Sequence, residues 1–460
     1  MNQKRTVTMC VTIMLIAILG GILLWNRNMQ GIAIPTLPTL SPTETLISRQ
    51  ESDMESVIFN WADGESYTME KNTRWIWQSY PDYILNPIQA RDKVRFAWFL
   101  TASERAFDDS EGLDLSEFGL APPNLTLTAN YTDSTSKNIY LGGLTADMRH
   151  NFIQVSGSSA IYLVPTQAAT LMQTSLPEIL DRNLPFFTQG ADFIYISQQG
   201  RPSIELGLET PPDLEFIPRG DLVLTMRRPT ARPLHFPNLN DNLLTPINNL
   251  AIGETVSLRP NDLNQYGLYN PALEFIYQEG GERVHLLFGD TFLYDDTLFI
   301  YVKFADRPHV FKAVYAPVTA LKDINLFTIA DRFIALINIQ DVERIAITSP
   351  LPERNLDIVI NHITPYEISP EINNVPVEEE NFRRIYRNLI ALSADAEIEI
   401  MPPEDNPILE IVFNQINSPN THLQFFQYDA NFYAVSINGD YPWFVTNIRD
   451  IDSFFSDIYI

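Results

Sequence analysis

The side chains best suited to acid–base or metal chemistry are spread thinly along this chain. Its six histidines are His150, His235, His285, His309, His362 and His422. None belongs to an H-E-x-x-H motif or to another close pair of the kind that holds zinc. The one cysteine excludes an internal disulfide and a cysteine-based zinc site. We therefore predict surface or turn histidines and no metal site.

Carboxylates are abundant, with 57 Asp and Glu residues. Glycoside hydrolysis needs two of them about 5 to 10 Å apart, but such a large number guarantees close pairs by chance. The acidic stretch from Asp108 to Glu117 lacks the order of oxygen ligands that a calcium loop requires, and a solvated loop is the favoured interpretation. The sequence also has no G-x-S-x-G elbow, P-loop or G-x-G-x-x-G motif. We expect no catalytic residue and no cofactor, and we expect that the protein is not an enzyme. The alternative is a hydrolase of the cell envelope that uses a carboxylate pair.

Large aromatic side chains could line a binding cleft for a sugar or a peptide. The residues considered are Trp61, Trp75, Trp77, Trp98 and Trp443. Core packing is the favoured role, because aromatic rings dominate protein cores. A glycan- or solute-binding module is the further alternative.

The charge balance limits the choice of partner. With 31 basic against 57 acidic side chains, the net charge is −26. Nucleic acid binding needs clustered Lys and Arg to displace counterions, so nucleic acid is excluded as a partner. An acidic surface suits solubility and a basic or protein partner.

The uncharged apolar run Thr6–Trp25 is long enough to cross a bilayer core of about 30 Å. Lys4 and Arg5 precede it and only Arg27 closely follows, which predicts a cytoplasmic N-terminus and an extracytoplasmic remainder. The alternative is a cleaved signal peptide, but no small-x-small cleavage site follows the run. We expect residues 1–30 to form a cytoplasmic tip and a transmembrane helix. Residues 31–54, rich in Pro, Thr and Ser, are predicted to be a linker.

The remaining chain contains an internal repeat. The spacing of Gly119, Leu120 and Pro123 recurs at Gly267, Leu268 and Pro271. A later pair, Asp181-Arg182, recurs as Asp331-Arg332. A third, divergent copy ends the chain without the Gly-Leu turn. The predicted repeat units are 55–190, 191–340 and 341–460.

The repeated residues are predicted to be structural rather than catalytic. In the turn, Gly supplies a positive φ and Pro fixes the entry to the next strand. Asp of the second motif is expected to cap the closing helix, and Arg to reach a carboxylate of a neighbouring unit.

The periodicities predict one helix and several strands in each unit. Alternating runs such as 124–131 indicate strands with one buried face. An apolar stripe from Phe382 to Ile390 indicates a helix, and a weaker one is expected within Ile88–Ser103. In the second unit Pro246 permits only a short or broken helix. The predicted fold class is α+β: an N-terminal transmembrane helix followed by three tandem, mostly antiparallel α+β repeat units.

Several of these features together resemble a bacterial family of unknown function, DUF4340. They are the anchor, Trp75-Ile76-Trp77, the acidic turn Asp114–Pro123 and the related Asp262–Leu268. The resemblance implies a membrane-anchored, extracytoplasmic protein, in some members connected with ABC-type transport or gliding systems, and supplies no catalytic residues. We therefore expect a binding or scaffold component of a cell-envelope complex. Its partners would be the membrane, through Thr6–Trp25, and a protein of the envelope.

Overall fold

The structure, a computed structural model, describes residues 43–209, 223–364, 366–398 and 406–458. The predicted transmembrane segment, Thr6–Trp25, and the first half of the predicted linker, residues 31–42, lie outside these ranges. Among the helices within them, none combines the length and apolar character needed to cross a membrane.

Strands make up most of the regular structure in the described ranges. The strands are β1 (Glu44–Ser48), β2 (Met54–Trp61), β3 (Ser66–Lys71), β4 (Trp75–Trp77), β5 (Phe99–Ala102), β6 (Glu104–Phe107), β7 (Leu125–Tyr131), β8 (Ser136–Leu144), β9 (His150–Val155), β10 (Ile161–Pro165), β11 (Phe193–Gln198), β12 (Ile204–Glu209), β13 (Val223–Arg228), β14 (Ile252–Ser257), β15 (Leu273–Glu279), β16 (Glu282–Tyr294), β17 (Thr297–Phe304), β18 (Val310–Val314), β19 (Val342–Thr348), β20 (Leu356–Thr364), β21 (Glu367–Ile372), β22 (Val375–Pro376), β23 (Ala396–Glu397), β24 (Leu409–Gln415), β25 (Thr421–Gln427), β26 (Phe432–Ile437) and β27 (Phe444–Asn447).

The helices are shorter on the whole. They are α1 (Pro87–Val94), α2 (Thr166–Gln173), α3 (Phe236–Leu239), α4 (Thr245–Asn248), α5 (Ala316–Asp323), α6 (Leu326–Ile329), α7 (Glu379–Ile390) and α8 (Ile448–Ile458). Single 3-10 turns cover Glu51–Asp53, Arg95–Ala97, Leu176–Ile179, Asn264–Tyr266, Ile339–Asp341 and Pro352–Arg354, and Asn240–Leu244 is π-helical.

The predicted fold class, α+β with a leading transmembrane helix, is wrong. The described chain forms mostly antiparallel β-sheets, and none of its helices can span a membrane. Part of the reason lies in the segment predicted as a helix over Ile88–Ser103. Its helix α1 ends at Val94, and Phe99–Ala102 becomes β5, which pairs with β1 and buries alternate side chains. The strand partner comes from the end of the segment predicted to be a linker, so the local pattern could not show it.

Within the described residues, three main sheets share one strand order, to which the third adds one edge strand. The first main sheet runs β4-β3-β2-β7-β8-β9-β10-β6, the second β13-β12-β11-β15-β16-β17-β18-β14, and the third β22-β21-β20-β19-β24-β25-β26-β27-β23. In each, an initial meander is followed by a helical segment and a strand at the opposite edge, and four consecutive strands fill the middle. A small sheet, β1-β5, completes the set.

The three main sheets also share a register. The equivalent buried cross-strand pairs are Leu125–Leu141, Leu273–Phe288 and Leu409–Phe425. By internal contacts the chain divides into two compact units, Met1–Asp181 and Arg182–Ile460, and the second contains two main sheets. The predicted boundaries at 190/191 and 340/341 stay a prediction.

Helices cover one face of the main sheets. In the third, α7 buries Phe382, Ile385, Tyr386 and Leu389, which confirms the apolar stripe that predicted it. The Arg383–Glu379 pair, one helical turn apart at 2.8 Å, lies on its outer side. In the second predicted repeat unit, 191–340, the helical segment is broken into α3, a π-helical turn and α4, as Pro246 requires.

Candidate interaction surface

The second main sheet has one covered face and one partly open face. Along β15, Leu273, Phe275 and Tyr277 are buried on the covered face, whereas on the other face Glu274 and Gln278 are half-buried and Ile276 is buried. Helix α5 lies over the buried face, where the amide of Gln198 on β11 donates to main-chain carbonyls at its C-terminal end. The face that carries Glu274 is called the open face below.

An aromatic row crosses the open face. Phe292 stacks on Tyr301 with ring centroids 4.3 Å apart and on Phe299 at 5.8 Å. Tyr266 meets the edge of Tyr301 at 5.0 Å, and Tyr294 lies 6.4 Å from Phe299 at the outer end. Tyr294 is 61% exposed, whereas the other four rings of the row are half-buried.

The repeated Gly-Leu-x-x-Pro turn positions one ring of this row. Gly267 has a φ of 66° and ends the turn Asn264–Tyr266, while Leu268 is buried and Pro271 lies just before β15. A Cβ on Gly289 would lie 1.9 Å from the carbonyl oxygen of Tyr266. Only glycine therefore lets the turn pack against β16 and hold Tyr266 over Tyr301.

The first main sheet repeats this arrangement. Gly119 has a φ of 63°, and a Cβ on Gly142 would lie 2.3 Å from the Phe118 carbonyl oxygen. Phe118 meets Phe152 with centroids 5.0 Å apart, as Tyr266 meets Tyr301. Leu120 is buried and forms a bridge with Pro123. The sequence patterns above did not predict a role for the aromatic residue before each glycine, although this residue recurs in both turns.

A hairpin extends the aromatic row beyond the neighbouring strand. β16 has 13 residues, but β15 pairs with it only as far as Phe288, while β17 pairs with it up to Tyr294. A bulge follows Phe288, and Asp295 and Asp296 make the turn with positive φ. Leu293 is 70% exposed on the opposite side of this hairpin.

Two histidines that were predicted to be ordinary surface residues are paired with glutamates. His285 Nε2 lies 2.7 Å from Glu274 Oε1, and His422 Nε2 lies 2.8 Å from Glu410 Oε2. Both pairs occupy the same register position, on the open face of the second sheet and the matching face of the third. Glutamate orients an imidazole in this way, which leaves Nδ1 for another partner.

The sequence contained a signal for these pairs. In the second and third predicted repeat units, a Leu-Glu pair is followed by His-Leu-x-Phe. The histidine comes eleven residues after the glutamate in one copy and twelve in the other. In the described parts of the chain, no group of three or more His, Cys, Asp or Glu residues is arranged to hold a metal ion.

The repeated Asp-Arg pairs lie where each closing helix ends. The Asp181 N–H donates to the Ile84 carbonyl at 2.8 Å, and Asp331 N–H to that of Pro233 at 2.9 Å. The expectation that these aspartates cap the helices is wrong, because Ser175 and Asn325 stand at the N-cap positions and both aspartates come after the helices.

The two arginines make different contacts. Arg182 donates to the Gly253 carbonyl at 2.9 Å. Hydrogen bonding to Lys312 lowers the pKa of Glu254, and the charge of Arg182 adds to this effect. The guanidinium of Arg332 lies 4.5 Å from the centre of the Phe327 ring. The expectation that these arginines reach a carboxylate of a neighbouring unit stays a prediction.

A buried lysine lies among the aromatic residues of the first unit. The Lys93 amine donates to the carbonyls of Met172, at 2.7 Å, and Thr174, and lies 4.3 Å from the Phe59 ring centre. Burial lowers the pKa of Lys93 to about 7. Because its donors serve the C-terminal end of α2, its role is structural.

The tryptophans considered for a binding cleft have structural contacts. Trp75 and Trp98 are buried and stack with centroids 6.1 Å apart. Trp61 and Trp77 belong to an aromatic cluster with Tyr67. Trp443 is half-buried beside Tyr441 in the second unit.

Comparison with known proteins gives one family. The profile described as "Domain of unknown function (DUF4340)" matches residues 75–214 and 238–407, more than half of the chain. No curated protein and no solved structure gives a significant match. The matched stretches include the acidic turns at Asp114 and Asp262 on which the resemblance was based. The chain therefore belongs to the DUF4340 family.

Proposed function

We propose that this protein is a membrane-attached, extracytoplasmic binding or scaffold component of a cell-envelope complex, with a protein as its partner. An ABC-type transport complex is the kind of assembly that the family resemblance suggests. The aromatic row and the hairpin beyond it are the proposed contact surface.

One observation carries this proposal. In a chain with a net charge of −26, apolar side chains at the tip of the second-sheet hairpin stay largely exposed, with Leu293 at 70% and Tyr294 at 61%. Exposed rings and aliphatic groups held on a rigid strand lose little conformational entropy on binding, which favours their use at interfaces. Apolar side chains exposed in this way on both faces of one hairpin are candidates for an interaction site.

The absence of enzymatic activity is part of the proposal. A hydrolase needs its acid–base group to converge with a nucleophile or second carboxylate in a shared cleft. The pairs His285–Glu274 and His422–Glu410 instead lie on half-exposed sheet faces. We propose that these pairs orient polar groups for contacts on the two sheet faces and take no part in catalysis.

Membrane attachment rests on the apolar run Thr6–Trp25 and the basic residues before it. Protease treatment of intact cells stripped of their outer layers should remove residues 43–458 and leave an N-terminal fragment. Protection of the whole chain under conditions that digest a known external protein would contradict the proposed location.

The binding role is tested by purification of the full-length chain from detergent-solubilised membranes. We expect one partner protein to be recovered with the wild type and to be reduced at least fivefold with Tyr294→Ser. Tyr366→Ser, which changes a tyrosine 87% exposed in the turn before β21, is the matched control and should retain the partner. Recovery of the chain alone in every preparation would contradict the proposal.

A further inference from the structure

The outer part of β16 presents an open main-chain edge. Within the described residues, no strand pairs with it beyond Phe288 on the side of β15. The carbonyl of Leu298 on β17 accepts from Tyr315 N–H at 2.9 Å and so points away from β16. Leu293 faces Leu298 across the hairpin, and the alternation of an antiparallel ladder directs its N–H and C=O outward on the other side.

Thr291, two residues before Leu293, has the same orientation. It pairs with Ile300, which in turn faces Ala313 of β18. The edge therefore offers two donors and two acceptors, spaced as an added strand requires.

We propose that this edge, Thr291–Tyr294, is a docking site at which an extended segment of the partner protein adds a strand, and that this segment carries Lys or Arg. The inference rests on the proposed binding function and names the chemistry of the partner at that surface. It is an instance of strand addition, in which main-chain bonds give affinity and side chains give selectivity.

The charge of the hairpin argues for a basic segment. Residues 289–297 contain Asp290, Asp295 and Asp296, all exposed, and no Lys or Arg. A second copy of this chain docked edge to edge would bring six carboxylates together, which disfavours self-association. A basic strand would neutralise them and would also be guided toward the acidic molecule over a distance.

The side chains predict an alternating sequence in the added segment. On the open face, Lys312 Nζ lies 4.8 Å from the Tyr294 ring centre and 5.1 Å from that of Phe299, which shows that these rings receive a cation, and Glu254 at 2.8 Å balances the charge of Lys312. On the other face, Leu293 and Leu298 are exposed. Basic side chains would lie toward the rings and apolar ones toward the leucines. A glycan would use the rings but neither the edge nor the leucines.

The test is site-specific photo-crosslinking in the full-length chain in its native membranes. A photoreactive phenylalanine analogue replaces Tyr294, with the same analogue at Tyr366 as the control position. Mass spectrometry of the crosslinked peptide should identify a partner segment with alternating apolar and basic residues. Position 366 should not yield that segment.

Two variants distinguish strand addition from simple side-chain contact. Leu293→Pro removes an outward N–H and should lower the crosslink yield about tenfold, whereas Leu293→Ala, which keeps the N–H, should lower it less than about threefold. Because the proline could disturb the hairpin, the double variant Asp295→Asn and Asp296→Asn is a second test, and asparagine tolerates the positive φ of this turn. It should also reduce the crosslink yield, because it removes the negative charge that attracts a basic segment and leaves the turn intact.

The outcomes separate this inference from the proposed function. Equal yields in the proline and alanine variants, crosslinks to a second copy, to lipid or to glycan, or an acidic partner segment would each overturn the docking site. If a partner is recovered but crosslinks elsewhere, the binding role stands and the edge assignment falls. If no partner is recovered, both fall.

Discussion

At the scale of single residues, the structure depends on a few positions where only one side chain fits. Gly267 adopts a left-handed conformation and packs against Asp290, so that a Cβ there would lie 2.7 Å from the Asp290 nitrogen. The same conformation occurs at Gly280, where a Cβ would meet nothing within 4 Å. A substitution at Gly280 therefore tests conformational strain alone, whereas one at Gly267 tests strain together with close packing.

Alanine substitutions at these glycines should differ in cost. Gly280→Ala should lower the free energy of unfolding by about 1 to 2 kcal/mol, the strain of a left-handed residue. Gly267→Ala should lower it by about 2 to 4 kcal/mol, because main chain must also move. Urea unfolding followed by tryptophan fluorescence measures both. Equal losses would show that the turn does not depend on its contact with β16.

Lys93 predicts a pH dependence of stability. Its folded pKa of about 7 lies below that of an exposed lysine, so burial disfavours the charged amine. The cost is present in full below pH 7 and is relieved as the pH rises toward the unfolded value near 10.4. Relative to Lys93→Met, the wild type should therefore gain stability between pH 7 and 10, by about 1.4 kcal/mol per pH unit at the steepest.

Urea unfolding midpoints of both proteins at pH 7, 8 and 9 check this prediction. Lys137→Met, at an exposed lysine, is the matched control and should show no such trend. A constant difference between wild type and Lys93→Met across this range would mean that the buried amine stays charged.

At the scale of elements, the segment that joins the second and third main sheets is held by a buried arginine. Arg232 donates to the carbonyls of Asp331, at 3.2 Å, and Phe333, and its guanidinium lies 4.7 Å from the Phe444 ring centre. Burial lowers the pKa of Arg232 to about 10. Both sheets belong to one compact unit, so this contact lies inside that unit.

Arg232→Met should loosen this connection. Two carbonyls would lose their charged donor, at a cost of about 2 to 4 kcal/mol. Limited trypsin digestion should then cleave faster within 331–344, at Arg332 and Arg344. Arg227→Met, which removes a half-exposed pair with Glu209 at 2.6 Å, should change the rate little. Unchanged digestion of Arg232→Met would show that the sheets are joined by other contacts.

Local patterns predicted the elements but not their partners. The stripe from Phe382 to Ile390 became α7, and the glycines of the repeated turn have the expected positive φ. The pairing of β1 with β5, by contrast, joins segments about fifty residues apart. Non-local pairing of this kind depends on tertiary context, which is why the α+β class was wrong.

The candidate surface was harder to predict for the same reason. Glu274 and His285 are diagonal neighbours on one face only because of the register between β15 and β16, which pairs Glu274 with Leu287 and His285 with Ile276. The bulge after Phe288 keeps Phe292 and Tyr294 on the face of Tyr301. Neither this register nor the bulge has a periodic signature in the sequence. The repeated spacing of Glu and His was a signal that could have indicated the two pairs.

At the scale of the whole molecule, the central claim is that this acidic chain works by holding another protein. Its mass is 52.5 kDa. A particle purified from membranes in detergent and weighed by native mass spectrometry should therefore contain this chain and a second polypeptide of different mass. Particles of 52.5 kDa or whole multiples of it, obtained repeatedly under mild extraction, would contradict the account.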